Sequence, residues 1–135
     1  RQAKGADYIT SVCTGAFILG AAGLLQGKKA TCHWAYTQLL PLFGATHVPA
    51  RVVRDGNLIT AGGVTSGIDF ALELIAAISG EDVARTIQLA LEYDPAPPFG
   101  GGSLAHSKEE TVRRLRADVY DQAAAEMEIA IKAII

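Results

Sequence analysis

The sequence predicts an α/β domain with a mainly parallel sheet flanked by helices. Three observations carry that prediction. A β-branched run, Asp7-Tyr-Ile-Thr-Ser-Val12, passes almost without a loop into an apolar stretch over 14–25. A second short strand over 29–32 is followed by a helix over 34–43. A hairpin over 51–60 then leads into further helices, and this order of elements is the α/β pattern. Composition narrows the class. With 50% hydrophobic residues and a net charge of −2, the chain of 135 residues is neither disordered nor rich enough in cations to neutralise phosphates, so a nucleic-acid partner is not expected. Its longest apolar run, Ala16–Leu25, is shorter than the roughly 18 residues that suggest a membrane span. No apolar leader follows Arg1, and two cysteines are too few for a disulfide framework. A reduced, cytoplasmic protein without a membrane partner is the expectation.

Each element has its own signal. The first strand is β-branched. The stretch 14–25 is apolar on nearly every face, as in a buried helix, and Gly27 is placed to close it. Lys29–Cys32 reads as a strand, and Trp34–Phe43 as a helix with Leu39, Leu40 and Phe43 at helical spacing and Gly44 after its end. Asp55-Gly56 supplies a tight turn between two β-branched runs. The Gly-rich loop 61–67 enters a helix over 68–78, with Thr65 or Ser66 expected to cap it, and another helix spans 81–91. Three prolines and three glycines within Asp94–Ser103 exclude regular structure there. The last helix is expected over 108–135, with Val112, Leu115, Val119, Met127, Ile131 and Ile134 in an apolar stripe and Arg113, Arg114 and Arg116 on a solvated face. Residues 1–105 are read as the C-terminal portion of an α/β domain, and 106–135 as a C-terminal helix that packs on the domain or on a dimer partner.

The sharpest chemical signal is Val12-Cys13-Thr14-Gly15, between a strand and a helix. A nucleophile on such a turn is held exposed at the carboxyl end of the sheet, where ligands of open α/β sheets bind. Amides at the head of the helix favour a thiolate and can also bond a developing negative charge. Thr14 offers a hydroxyl beside the sulfur, and Gly15 permits close packing. His33, at the end of the next strand, is a candidate to orient or deprotonate a thiol. The alternative for it is a bond to a loop carbonyl. Trp34 is a pocket wall or core filler, and Cys32 a packing residue. His47 and His106 are expected in loops, and no histidine spacing matches a metal motif. Gly62, Gly63 and Val64 lack the lysine of a phosphate loop. They are expected to bring backbone to the rim of the site.

Residues Ser11–Trp34 resemble the nucleophile-elbow region of the ThiJ/PfpI superfamily, whose fold is flavodoxin-like and class I glutamine-amidotransferase-like, and Arg51–Phe70 continues the match. Within it, the Cys-Thr-Gly elbow together with Leu91–Ser103 is most similar to isocyanide hydratases. The resemblance runs from residue 7 to about residue 105. It implies addition of water to an organic isocyanide to give an N-formamide, with no cofactor and no metal. Cys13 would attack the isocyanide carbon and form a thioimidate, and Thr14 would match the neighbouring hydroxyl. Backbone at the elbow and near Gly62–Val64 would line the pocket. A homodimer is also implied.

One departure accompanies the resemblance. The superfamily's domain starts with a β-α-β-α-β segment that holds the carboxylate contacting the cysteine, and these N-terminal strands are absent here. Asp7, at the far end of its strand, and Glu73, inside a helix, do not substitute for it. The expected partner is therefore an N-terminal segment of the same domain. Two other functions are compatible with the superfamily. One is glyoxalase- or deglycase-like chemistry through Cys13 and His33. The other is a non-catalytic ligand-sensing domain of the kind found in AraC-type regulators.

Overall fold

The computed structural model describes all 135 residues. Strand β1 (Ile9–Val12) lies parallel to β5 (Leu58–Ala61), and β5 pairs antiparallel with β4 (Val52–Asp55), giving the order β1-β5-β4. The hairpin turns at Gly56, whose φ of 66° a side chain would strain. A second, two-stranded parallel sheet joins β2 (Lys29–Ala30) to β3 (Thr46–His47). The backbone amide of Thr31 donates to the buried hydroxyl of Thr60 at 2.9 Å, which ties the end of β2 to β5. Two of the three pairings are parallel, and the antiparallel one is the predicted hairpin.

The expected helices form with altered bounds. A 3-10 turn, Cys13–Gly15, precedes α1 (Ala16–Ala21), so the regular helix is shorter than the apolar stretch that encodes it. Residues Trp34–Phe43 form a ten-residue 3-10 helix containing Pro41, closed by Gly44 at φ 71°. Helices α2 (Ser66–Ser79) and α3 (Glu81–Ala90) pack as a pair. The predicted single C-terminal helix is instead α4 (Glu109–Leu115), a π-helical turn over Arg116–Tyr120, and α5 (Asp121–Lys132). Thr65 and Ser66 do not cap α2 with their side chains. The Thr65 hydroxyl accepts from Arg51 Nη2 at 3.2 Å, and the Ser66 hydroxyl donates to the Gly63 carbonyl at 2.6 Å.

The core lies between α1, the 3-10 helix, β2 and α5. Phe17, Leu25, Leu39, Leu40, Phe43, Leu58 and Ile131 form it with Cys32 and several alanines. Each fully buried leucine contributes on the order of 1.5–3 kcal/mol of apolar burial. Phe17 and Phe43 stack with centroids 5.9 Å apart. Gly20 makes this packing possible, since a Cβ there would overlap the Phe43 ring. The apolar end of the C-terminal helix is divided. Ile131 is buried and Met127 packs on the core, while Ile129, Ile134 and Ile135 stay exposed.

Candidate functional site

Parallel pairing of β1 with β5 continues past both strands. The Cys13 amide donates to the Gly62 carbonyl at 2.8 Å, so the elbow and the Gly-rich loop are joined by one bond. Cys13 has φ 59°, the left-handed region that a residue with a Cβ rarely occupies. Holding it there costs on the order of 1–3 kcal/mol, supplied by the surrounding ladder. The side chain is half-buried at the carboxyl end of β1, and Thr14 and Gly15 follow in the 3-10 turn. A Cβ at Gly15 would meet only the Cβ of Ser11, at 3.7 Å, which is ordinary contact.

Residues around the elbow have distinct charge states. Burial pushes the Cys32 thiol up to about 12, and nearby Cys13 adds to the rise. Cys32 is thus a protonated core residue whose thiol donates to the His33 carbonyl at 3.5 Å. Burial lowers the pKa of His33, so its ring is neutral at neutral pH. His33 Nδ1 accepts from the Ala35 amide at 3.3 Å, capping the 3-10 helix. With Nδ1 an acceptor, the proton of the neutral ring sits on Nε2, which is then a donor rather than a base. That state orients a group better than it deprotonates a thiol.

The structure brings His33 and Trp34 into an aromatic cluster with two tyrosines that periodicity did not single out. His33 lies 5.2 Å from the ring of Tyr120 and 5.6 Å from those of Trp34 and Tyr36. Trp34 and Tyr120 meet edge to face at 5.2 Å. Tyr120 ends the π-helical turn, and Arg116, at its start, stands 5.3 Å over the Trp34 ring. Arg116 is therefore a cation on an aromatic face and not part of a solvated stripe. The pKa of the Tyr36 phenol is raised by burial, then by Tyr120 and Cys13.

The Gly-rich loop divides in its roles. The Gly62 amide donates to the Arg51 carbonyl at 2.9 Å, so Gly62 meets the elbow through its carbonyl and not its N–H. Gly63 is the position where a side chain does not fit comfortably, because a Cβ would lie 3.2 Å from His33 Cδ2. The Val64 side chain is 81% exposed. His47 is not in a loop but in β3, where burial lowers its pKa. His106 sits in a short 3-10 turn with Nδ1 2.9 Å from the Ser103 hydroxyl. Glu73 is exposed on α2, and Asp7 belongs to the opposite end of β1, beside a groove shared with Tyr8, Arg54 and Asn57. No three His, Cys, Asp or Glu side chains converge as metal ligands. No helix is long and apolar enough to cross a membrane.

Comparison with known proteins follows the same lines. Residues 1–77 match the model of the DJ-1/PfpI family. The chain is 52% identical to an isonitrile hydratase of Pseudomonas putida over 95% of its own length and 60% of that protein's. It superposes on the crystal structure of a ThiJ/PfpI family protein from Pseudomonas syringae with a TM-score of 0.81 and 48% identity, covering 89% of this chain and 51% of that one. It is also 35% identical to the HTH-type transcriptional regulator GlxA of Rhizobium meliloti, over 70% of this chain and 31% of the regulator. The chain thus spans between about a third and three fifths of these relatives. With a cysteine elbow between a parallel strand and a helix, and with these matches, the chain belongs to the DJ-1/PfpI family.

Proposed function

We propose that the protein hydrates organic isocyanides to N-formamides through a covalent intermediate on Cys13, as a hydro-lyase that uses neither metal nor cofactor. The observation that carries this reading is the 52% identity to an isonitrile hydratase along nearly the whole chain, with the strained Cys13 elbow inside the matched region. In the first step the Cys13 sulfur bonds to the terminal isocyanide carbon, and that carbon takes a proton to give the thioimidate R–N=CH–S–Cys13. Water then adds to the same carbon. One water proton goes to nitrogen, the C–S bond breaks with its electron pair returning to sulfur, and the second water proton restores the group that gave up the first-step proton, which leaves R–NH–CHO and free Cys13. Thr14 and Gly15 shape the turn beside the sulfur. Gly62 orients Cys13, while Gly63, His33 and Trp34 wall the site, with the neutral His33 as a donor. Val64, whose side chain points to solvent, acts at most through its backbone.

Both proton transfers need an acid–base group, and no carboxylate stands beside Cys13 in these residues. We assign that role to a segment of the same domain outside the 135 residues, and 106–135 to a helix that completes the domain within a homodimer. Cys13→Ala is expected to abolish N-formamide formation from an isocyanide in the complete gene product without lowering its melting temperature by more than a few degrees. Unchanged turnover in Cys13→Ala would overturn the reading. The similarity to a transcriptional regulator favours one other possibility, a ligand-sensing domain. Small-molecule binding with no turnover of any isocyanide would establish it.

A further inference from the structure

Cys13 is held in its left-handed backbone conformation by a bond to a loop that is itself fixed from outside the site. The Gly62 carbonyl that receives the Cys13 amide belongs to a residue whose own amide donates to the Arg51 carbonyl at 2.9 Å. The Arg51 side chain returns to the other end of the same loop, donating from Nη2 to the Thr65 hydroxyl at 3.2 Å. One residue therefore clamps the loop at both ends, by backbone at Gly62 and by side chain at Thr65. Arg51 is in turn oriented by Asp69 in the first turn of α2, which accepts from Arg51 Nε on one oxygen. The other Asp69 oxygen accepts the phenol proton of Tyr93.

Tyr93 follows Glu92, a second non-glycine residue at positive φ (50°), and opens the irregular segment after α3. Its amide donates to the Gln88 carbonyl at 3.0 Å, and its carbonyl accepts from Gln88 Nε2 at 3.2 Å. The phenol is therefore fixed at the backbone as well as at its tip. Its bond to Asp69 raises its pKa, so it stays protonated and remains a donor. Asp69 likewise raises that of Arg51.

We infer that Arg51, Asp69 and Tyr93 are positioning residues for the Cys13 elbow. Acting through Gly62, they keep residue 13 in the conformation that presents its sulfur. This rests on the reading of Cys13 as the nucleophile. None of the three reaches the sulfur. Arg51 has to be arginine because it donates from Nε and Nη2 to two different acceptors, which a lysine ammonium on a flexible stem does not do in one fixed geometry.

The test is amide hydrogen exchange in the complete gene product, with the Ile9 amide as an internal control. Ile9 donates to Asn57 at the opposite end of the same strand pair, at 2.9 Å. Asp69→Asn, which keeps shape and removes charge, is expected to speed exchange of the Cys13 amide about tenfold while that of Ile9 is unchanged. Tyr93→Phe is expected to act in the same direction and more weakly, and it serves alone if Asp69→Asn does not fold. Isocyanide turnover in the same variants is expected to show a lower kcat with KM unmoved. Parent-like protection of the Cys13 amide, or equal loss at Cys13 and Ile9, would overturn the inference. A parent protein inactive on isocyanides would overturn the proposed reaction instead, and the exchange result would still decide the role of the three residues.

Discussion

Helices α5 and α2 both carry a run of apolar side chains, and the structure treats them differently. On α5, Ile131 is 3% exposed and joins the core beneath the 3-10 helix. On α2, which is the more apolar of the two, only Ser66 is buried, while Ile68 and Ile78 face outward. Its partner α3 buries only Ala84 and leaves Val83 and Leu89 exposed. The difference lies in layering. An amphipathic helix is buried by a second layer on its apolar face, whatever its own composition. The α1, 3-10 and α5 side has that layer within these residues. On the other side α2 covers β5 and β1 with one face, and the α2–α3 pair leaves Ile68, Ile78, Val83 and Leu89 exposed.

Four measurements sharpen or break this contrast. The largest effect is expected at the covered side, where Ile131→Ala should cost about 2–5 kcal/mol in denaturant unfolding. A cost near zero would show that α5 is not part of the core. Gly20→Ala comes next, at about 1–3 kcal/mol from overpacking against Phe43, read as a lower melting temperature.

A smaller effect is expected from pH. Burial lowers the pKa of both His33 and His47, so below the ordinary value of about 6.5 the unfolded chain takes up protons that the folded chain refuses. Their contribution is fully present above about pH 6.5 and is lost as pH falls from there through the lowered folded values. His33→Asn should flatten the acid limb of a stability–pH curve, and a limb of unchanged steepness would contradict the assignment. The smallest effect is expected on the open side. Leu89→Gln should change stability by less than about 0.5 kcal/mol. A loss as large as that at Ile131 would mean that something covers α3.

The elements legible in the sequence are those encoded locally. Asp55-Gly56 fixes a turn by its backbone needs alone, and Val12–Gly15 marks the elbow because a strand and a helix meet there without a linker. The DJ-1/PfpI assignment rests on the same contiguous residues. Other features left no such mark. Strand β3 is two residues long and is defined by its pairing with β2, so nothing in Thr46-His47 announces it. The 3-10 character of 34–43 arises in a stretch whose apolar spacing also suits an α-helix, with Pro41 inside it. Tyr120 and Arg116 reach His33 and Trp34 from the far end of the chain, and Arg51 and Tyr93 meet Asp69 of α2 from outside any helix or strand. Contacts between residues 18 and 24 positions apart follow no period and are visible only once the chain is folded.

The π-helical turn at Arg116–Tyr120 has a consequence for length and not for composition. Each residue of an α-helix rotates the chain by about 100°, so one extra residue in a turn re-aims everything beyond it by about that angle. Tyr120 faces the aromatic cluster, while Met127 and Ile131, farther along, face the core. A single-residue deletion within 117–119 would restore regular helical winding and leave every one of these side chains intact. It would nonetheless rotate either the tyrosine off His33 or the isoleucine out of the core. At this place the chain is constrained in its residue count, and a variant that conserves every contacting side chain would still lose one of the two contacts.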